Sequence, residues 1–233
     1  MTLLTLVENA AIDLSLPVPT VVVTGTDPEV RLFLRCAQEE GRSLAGRHPW
    51  QAMTSEHTFT TVAADEQTSS IPSDFDRIIP ETMFNRDRTR IVWGPITAME
   101  WQQFKATLVT RVDPAFRIRG DTILITPEPE AGETVAYEYI SKNWCESSGG
   151  TGQSAWAADT DVAKLNESAM TLGVVWRWRR AKGVEFSSAE RDYERIVADL
   201  IMRDGARPRI SAAQVPRERI PVAPWTPETL EGL

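Results

Sequence analysis

The sequence predicts an α+β protein: a helical bundle built from N- and C-terminal helix pairs, an inserted antiparallel β module, and an extended C-terminal arm. Three observations carry this. Apolar residues recur at helical spacing near both ends of the first 205 residues. The stretch between them is rich in β-branched residues and turn signals. The last 28 residues hold five prolines, which leave no room for a helix.

Residues 1–53 read as two helices. Leu3, Leu6, Val7, Ala10 and Leu14 share one face over 2–15, Thr2 can cap it, and Pro17 and Pro19 end it. The next helix opens at Asp27-Pro28, an N-cap followed by proline at the first helical position. Val30, Phe33, Leu34, Ala37 and Leu44 form its stripe, with Gly46 as a candidate stop.

Residues 54–145 read as the β module. Thr58, Thr60 and Val62 lie in a β-branched run, and Arg77-Ile78-Ile79 follows a Pro72-Ser73-Asp74-Phe75 turn. Phe116–Arg119 and Thr122–Ile125 flank Gly120-Asp121, which predicts a tight hairpin. Thr134–Ile140 alternates like a half-buried strand. Thr97-Ala98-Met99-Glu100 is a capping box for a short interrupting helix.

Residues 146–205 open with Ser147-Ser148-Gly149-Gly150-Thr151-Gly152, read as part of a flexible return loop over 146–160. A helical hairpin follows, and the chain is organised around it. Asn166 caps the first helix and Gly183 suits a left-handed stop. After about four linking residues, Ser187-Ser188-Ala189-Glu190 reads as a second capping box. Tyr193, Ile196, Val197, Leu200 and Ile201 make one apolar face, closed by Gly205. The first helix of the pair is apolar on two sides. Leu172, Val175, Trp176 and Arg179 lie along one; Ala169, Val174, Trp178 and Ala181 lie along another. Such a helix has more than one neighbour. Either both sides meet elements of the same chain, or one meets another subunit.

Residues 206–233 form the arm. It mixes Arg207, Arg209, Arg217 and Arg219 with Ile210, Val215, Ile220, Val222 and Trp225. A bland linker would be Gly/Ser-rich and lack the indole. The arm is suited to gripping a partner; folding back on its own helices is the alternative.

Composition narrows the function. Of 233 residues, 42% are hydrophobic and 25% charged, as in soluble globular proteins with ample chain for a core. Cys36 and Cys145 are the only cysteines, outside any CxxC pattern, which predicts free thiols in a reducing compartment. The start, Met1-Thr2-Leu3-Leu4-Thr5-Leu6, lacks the marks of a signal peptide, and no apolar run is long enough for a membrane span. A net charge of −8 argues against a simple nucleic-acid binder.

Chemistry is scarce. His48 and His57 have no ligand-spaced partner, Gly149–Gly152 lacks the lysine and helix of a phosphate loop, and there is no Gly-x-Ser-x-Gly elbow. No catalytic, cofactor-binding or metal-ligating residue is assigned. The sharpest rival signal is Trp176-Arg177-Trp178-Arg179-Arg180-Ala181-Lys182. Aromatics interleaved with arginines can stack on bases and bind phosphates. The plainer reading is core or interface tryptophans, with cations complementing a helix C-terminus. A structural adaptor and a nucleic-acid-binding module are thus the two classes left; an enzyme ranks behind both.

Several motifs, in their order, add a resemblance. They are Glu39-Glu40-Gly41-Arg42 with Trp50-Gln51, Phe59-Thr60-Thr61-Val62-Ala63, Ile71-Pro72-Ser73-Asp74-Phe75-Asp76-Arg77, and Gly94-Pro95-Ile96 before Glu100-Trp101. Phe116–Gly120, Tyr137-Glu138-Tyr139-Ile140-Ser141-Lys142-Asn143-Trp144, Asp159-Thr160-Asp161 and Leu172-Gly173-Val174-Val175-Trp176-Arg177-Trp178 complete the series. Over about residues 1–205 the chain resembles the head-to-tail adaptors of tailed phages, in particular the tail-accessory-factor family of short-tailed phages. The resemblance implies a non-enzymatic protein of the virion neck, assembled in the host cytoplasm, without cofactor or membrane. It implies a dodecameric homo-oligomeric ring beneath the portal protein, tail proteins docked below, and a channel through which DNA passes without specific binding. It implies that the bundle holds the ring, with Leu172, Trp176, Trp178 and Arg179 as subunit-interface candidates. It also implies that the arm climbs onto the portal through Arg207, Arg209, Ile210, Arg217, Ile220, Val222 and Trp225.

Overall fold

The computed structural model describes residues 1–106 and 113–205. Five helices, α1 (Leu3–Asp13), α2 (Pro28–Arg47), α3 (Ala98–Ala106), α4 (Glu167–Lys182) and α5 (Ser187–Arg203), combine with antiparallel sheets in an α+β arrangement. The caps explain most helix starts. The Thr2 hydroxyl accepts the Thr5 amide, Asp27 accepts the Glu29 amide with Pro28 behind it, and Asn166 accepts the Ala169 amide. In α3 the Thr97 and Glu100 side chains exchange bonds with each other's amides, at 3.2 and 2.8 Å. Gly183 ends α4 at φ +68°. α2 runs one residue past Gly46, because a lone exposed glycine only weakens a helix.

The strands are β1 (Thr54–Thr60), β2 (Glu66–Gln67), β3 (Phe75–Ile78), β4 (Phe84–Asn85), β5 (Arg90–Ile91), β6 (Ala115–Arg119), β7 (Thr122–Thr126), β8 (Thr134–Ser141), β9 (Cys145–Glu146), β10 (Gly152–Gln153) and β11 (Val162–Ala163). One five-stranded sheet runs β1-β8-β4-β5, with β3 also paired to β8. A second sheet is β2-β7-β6, its β6–β7 hairpin turning at Gly120 with φ +59°. A third, small sheet is β10-β9-β11.

Among the described residues there are two apolar cores. The larger joins α1, α2, α4 and α5, and includes Trp50, Met53, Ile140, Trp144, Cys145 and Trp156. The smaller lies between the sheets, around Phe59, Met83, Phe116, Ile123, Val135 and Tyr137. The bundle core thus takes in the last residues of the middle stretch.

Three expectations are corrected. β8 does not alternate: only Glu138 is exposed, because β8 has β1, β3 and β4 as neighbours and then enters the bundle core. Ser187 does not cap α5. Glu185 reaches forward instead, accepting the Ser188 amide at 3.2 Å and its hydroxyl at 2.9 Å. These bonds hold the Glu185 carboxyl below its usual pKa range. Residues 146–160 are not a free loop. They contain β10, and Trp156 is buried edge-on against Trp144, its indole N–H donating to the Ala37 carbonyl at 3.4 Å.

Candidate assembly surfaces

α4 is the helix onto which the others dock: it packs against α2, α5 and α1. The contact with α2 is polar at its centre. Glu40 is fully buried. One of its carboxylate oxygens accepts from Arg177 Nε at 2.8 Å, the other from the Tyr193 hydroxyl at 2.6 Å. Gly173 supplies the space, since a Cβ there would overlap the Glu40 side chain. Burial pushes the Glu40 carboxyl above its usual pKa, opposed by the Tyr193 hydrogen bond and by Arg177. Burial likewise raises the Tyr193 phenol. Arg47 stacks over the Tyr193 ring at 5.2 Å and forms a bidentate pair with Glu194, at 2.6 and 2.8 Å. One network therefore ties α2, α4 and α5 together.

The two apolar sides of α4 both meet elements of the same chain. Trp176, 5% exposed, turns into the bundle toward Tyr193, with the Arg177 guanidinium 4.6 Å from its ring. Trp178 is half-buried and stacks on Phe33 of α2 at 6.1 Å. Leu172 and Arg179, one heptad apart, are half-buried, and Leu172 packs against the bundle core. The interface candidates thus fall on two sides of α4, Leu172, Trp176 and Arg179 on one and Trp178 on the other. The seven arm residues, Arg207, Arg209, Ile210, Arg217, Ile220, Val222 and Trp225, lie outside the described residues. The described chain ends at Gly205, beside Gln51, whose amide is held by Asp204 at 3.0 Å where the bundle meets the β module.

This geometry removes the chemistry of the nucleic-acid reading of 176–182. Trp176 faces inward, Arg177 is bound to Glu40, and Lys182 pairs with Glu29. No run of free indoles and arginines is left to stack on bases. Gly149–Gly152 forms a turn leading into β10, not a helix N-terminus. His48 stands 3.3 Å from Asp204 and edge-on to Trp50; His57 bonds the Ser69 carbonyl. Both thiols are free and buried, and burial pushes Cys36 up to about 11 and Cys145 up to about 12. Among the described residues no group of three His, Cys, Asp or Glu could hold a metal, and no helix is long and apolar enough to cross a membrane.

The motifs behind the resemblance meet in space. Glu40 touches Gly173, Arg177 and Tyr193, and a Cβ on Gly41 would collide with the Trp144 indole. Asp74 accepts from the Tyr139 and Ser141 hydroxyls at 2.9 and 2.7 Å. Asp159 accepts the Val22 and Val23 amides, and Asp161 those of Ala157 and Ala158. Sequence reasoning gave these residues no structural role. For Glu40 a signal existed: it lies seven residues after Phe33, on the apolar stripe of α2.

The helical bundle and inserted β module define an α+β class of protein. A family profile described as SU10 adaptor protein matches residues 1–219, and the chain belongs to that family, a phage head–tail adaptor family. The class agrees with the resemblance read from the motifs. A search of curated proteins finds no match.

Proposed function

We propose that this chain is a non-enzymatic component of the phage neck that assembles as a dodecameric ring beneath the portal protein. The bundle, residues 1–53 with 146–205, holds the ring; the β module, 54–145, faces outward or tailward and gives tail proteins their platform. DNA passes through the channel without specific binding. The acidic balance suits this, because lysine and arginine contacts to phosphate are what retain DNA. Residues 206–233 hook the portal, with Trp225 and the Ile210, Ile220 and Val222 side chains as apolar anchors and the four arginines pairing with acidic groups. Assembly takes place in the host cytoplasm, and the finished ring belongs to the virion.

The observation that carries this reading is the adaptor-family match, which spans the bundle, the β module and the start of the arm. The test is to mix the purified protein with its portal and follow size on a native column and by electron microscopy. A large symmetric complex is expected, and a 1–205 truncation should keep its fold but lose portal binding. Failure to co-migrate at micromolar concentration overturns the adaptor reading; intact binding by the truncation overturns the hook.

A further inference from the structure

The largest sheet leaves one long edge open. β1 is its end strand, seven residues paired to β8 in unbroken register from Thr54↔Ile140 to Thr60↔Thr134. The other flank of β8 fixes which way each amide points. Ile79 and Arg86 donate to the Glu138 and Thr134 carbonyls, so the even-numbered residues of β8 turn their backbone groups toward β3 and β4, and the odd-numbered ones toward β1. Across the register, Glu56, Thr58 and Thr60 therefore turn their N–H and C=O groups away from β8. All three residues are exposed, and among the described residues none bonds these backbone groups.

The other described edges are short or covered. β2, β5, β10 and β11 have two residues each, β3 has four, and the outer side of β6 is bonded at Phe116 by Trp93 and Ile96. β1 holds no proline, glycine, lysine or bulge that would blunt it. Such an edge is a template for another strand, and native proteins protect or cover it.

We propose that residues 209–215 of the arm cover this edge as an added strand, parallel to β1. The course of the chain selects this occupant. Gly205 stands beside Gln51, and the Asp204 carboxylate accepts the Gln51 amide at 3.0 Å, so the arm sets out just before β1 begins at Thr54. Residues 206–208 span up to about 10 Å, against about 4.8 Å between neighbouring strands. From that start the arm runs with β1 toward Thr60, which makes the pairing parallel. Pro208 and Pro216 bracket the longest proline-free stretch of the arm, seven residues, the length of β1. Prolines suit the ends of a strand, where no ladder donor is needed. This stretch has no carboxylate to oppose Glu56, whereas the next longest, 228–233, carries Glu228 and Glu231. The family match also runs past Gly205 to residue 219 and takes the stretch in. The proposal rests on the arm reading and adds to it. Strand addition uses backbone groups, so Ile210 and the arginine side chains stay available to the portal, and residues 216–233 leave the sheet from a fixed place.

Hydrogen exchange resolved by residue tests this on the full chain and on 1–205. The Glu56, Thr58 and Thr60 amides should exchange at least about tenfold more slowly in the full chain. His57 and Phe59, which face β8, should be equally protected in both and serve as controls. Equal exchange of the three amides in the two proteins overturns the proposal. Within the full chain, Ser211→Pro with Ala212→Pro should abolish the protection, because adjacent residues point opposite ways and one of the two must lose a ladder donor. Ala223→Pro, outside the stretch, should leave it unchanged. Protection that survives the double proline variant refutes the strand. Protection should not vary with protein concentration; if it does, the strand comes from another copy, which also overturns the proposal. Portal binding separates this from the hook. A protected β1 edge without portal binding supports the strand and refutes the hook, and portal binding by a chain whose β1 edge exchanges freely refutes the strand and leaves the hook.

Discussion

Glu40 rests directly on Gly173: a Cβ at 173 would stand 2.1 Å from the Glu40 carboxyl carbon. Two helices approach closely here because one residue has no side chain, and the space is filled by a carboxylate rather than a methyl group. That carboxylate is fixed by Arg177 and Tyr193, so it is not free to swing away. Gly173→Ala therefore sets two effects against each other. Helix propensity favours alanine by about 1 kcal/mol. Overpacking a fixed neighbour costs about 1–3 kcal/mol, and displacing the carboxylate also breaks charge-assisted hydrogen bonds. The expected outcome is a net loss of stability in urea unfolding. A variant more stable than the parent would show that the carboxylate relaxes freely.

The two tryptophans of α4 should behave differently. Trp176 lies inside the core with Tyr193 and two guanidinium groups around its ring. Trp176→Ala should cost about 3–5 kcal/mol, as for a large buried aromatic. Trp178 is half-buried with one stacking partner, so Trp178→Ala should cost clearly less. Denaturant midpoints of the two variants decide this, and equal losses would contradict the difference in burial.

Two carboxylates of one network titrate in opposite directions. The Arg47 hydrogen bonds hold Glu194 below its usual pKa, so its contribution is present above the usual glutamate range and is lost as pH falls through the lowered value. Glu40 is raised by burial, so its contribution is full below the usual range and declines as pH rises through the raised value. Glu194→Gln should flatten the acid side of a stability–pH curve. Glu40→Gln should be most destabilising, relative to the parent, at low pH, with the gap narrowing as pH rises. Urea midpoints measured across pH provide the readout, and a Glu40→Gln gap that widens with pH would reverse the assignment for that residue.

Local chemistry made much of this fold legible. Thr2, Asp27, Thr97 with Glu100, Asn166 and Gly183 each mark a helix end by a bond or conformation that the residue itself supplies. The Gly120 turn is local in the same way. What stayed hidden depends on distant partners. Glu40 falls on the apolar stripe of α2, but its partner Arg177, 137 positions away, is brought to it only by the fold. β8 reads as half-buried because its second face is covered only once the bundle closes over Ile140. The two-sided apolar pattern of α4 was visible, but its resolution into α2, α1 and α5 required the packing itself.

The segment joining α1 to α2 gives the last prediction. It is held from a distance by one residue. Asp159 accepts the Val22 amide at 3.1 Å and the Val23 amide at 2.7 Å, one on each carboxylate oxygen. The Leu4 amide bonds the Asp159 carbonyl at 3.1 Å, so the start of α1 is tied to the same point. Asp161, 2% exposed, accepts the Ala157 and Ala158 amides at 2.7 and 2.8 Å and keeps Asp159 in position. Removing either carboxylate leaves two amides without acceptors, at about 1–3 kcal/mol for each one that stays buried. The consequences should differ in place. Asp159→Ala should speed hydrogen exchange at Val22 and Val23 while α2 and α4 keep their protection, because its bonds reach only that segment. Asp161→Ala should loosen the 157–161 turn itself and, through it, both Val22–Val23 and the N-terminal turn of α1, with a larger fall in melting temperature. Exchange followed residue by residue distinguishes the two. Unchanged protection at Val22 and Val23 in Asp159→Ala would mean that the buried Val22 side chain, not the carboxylate, anchors the segment.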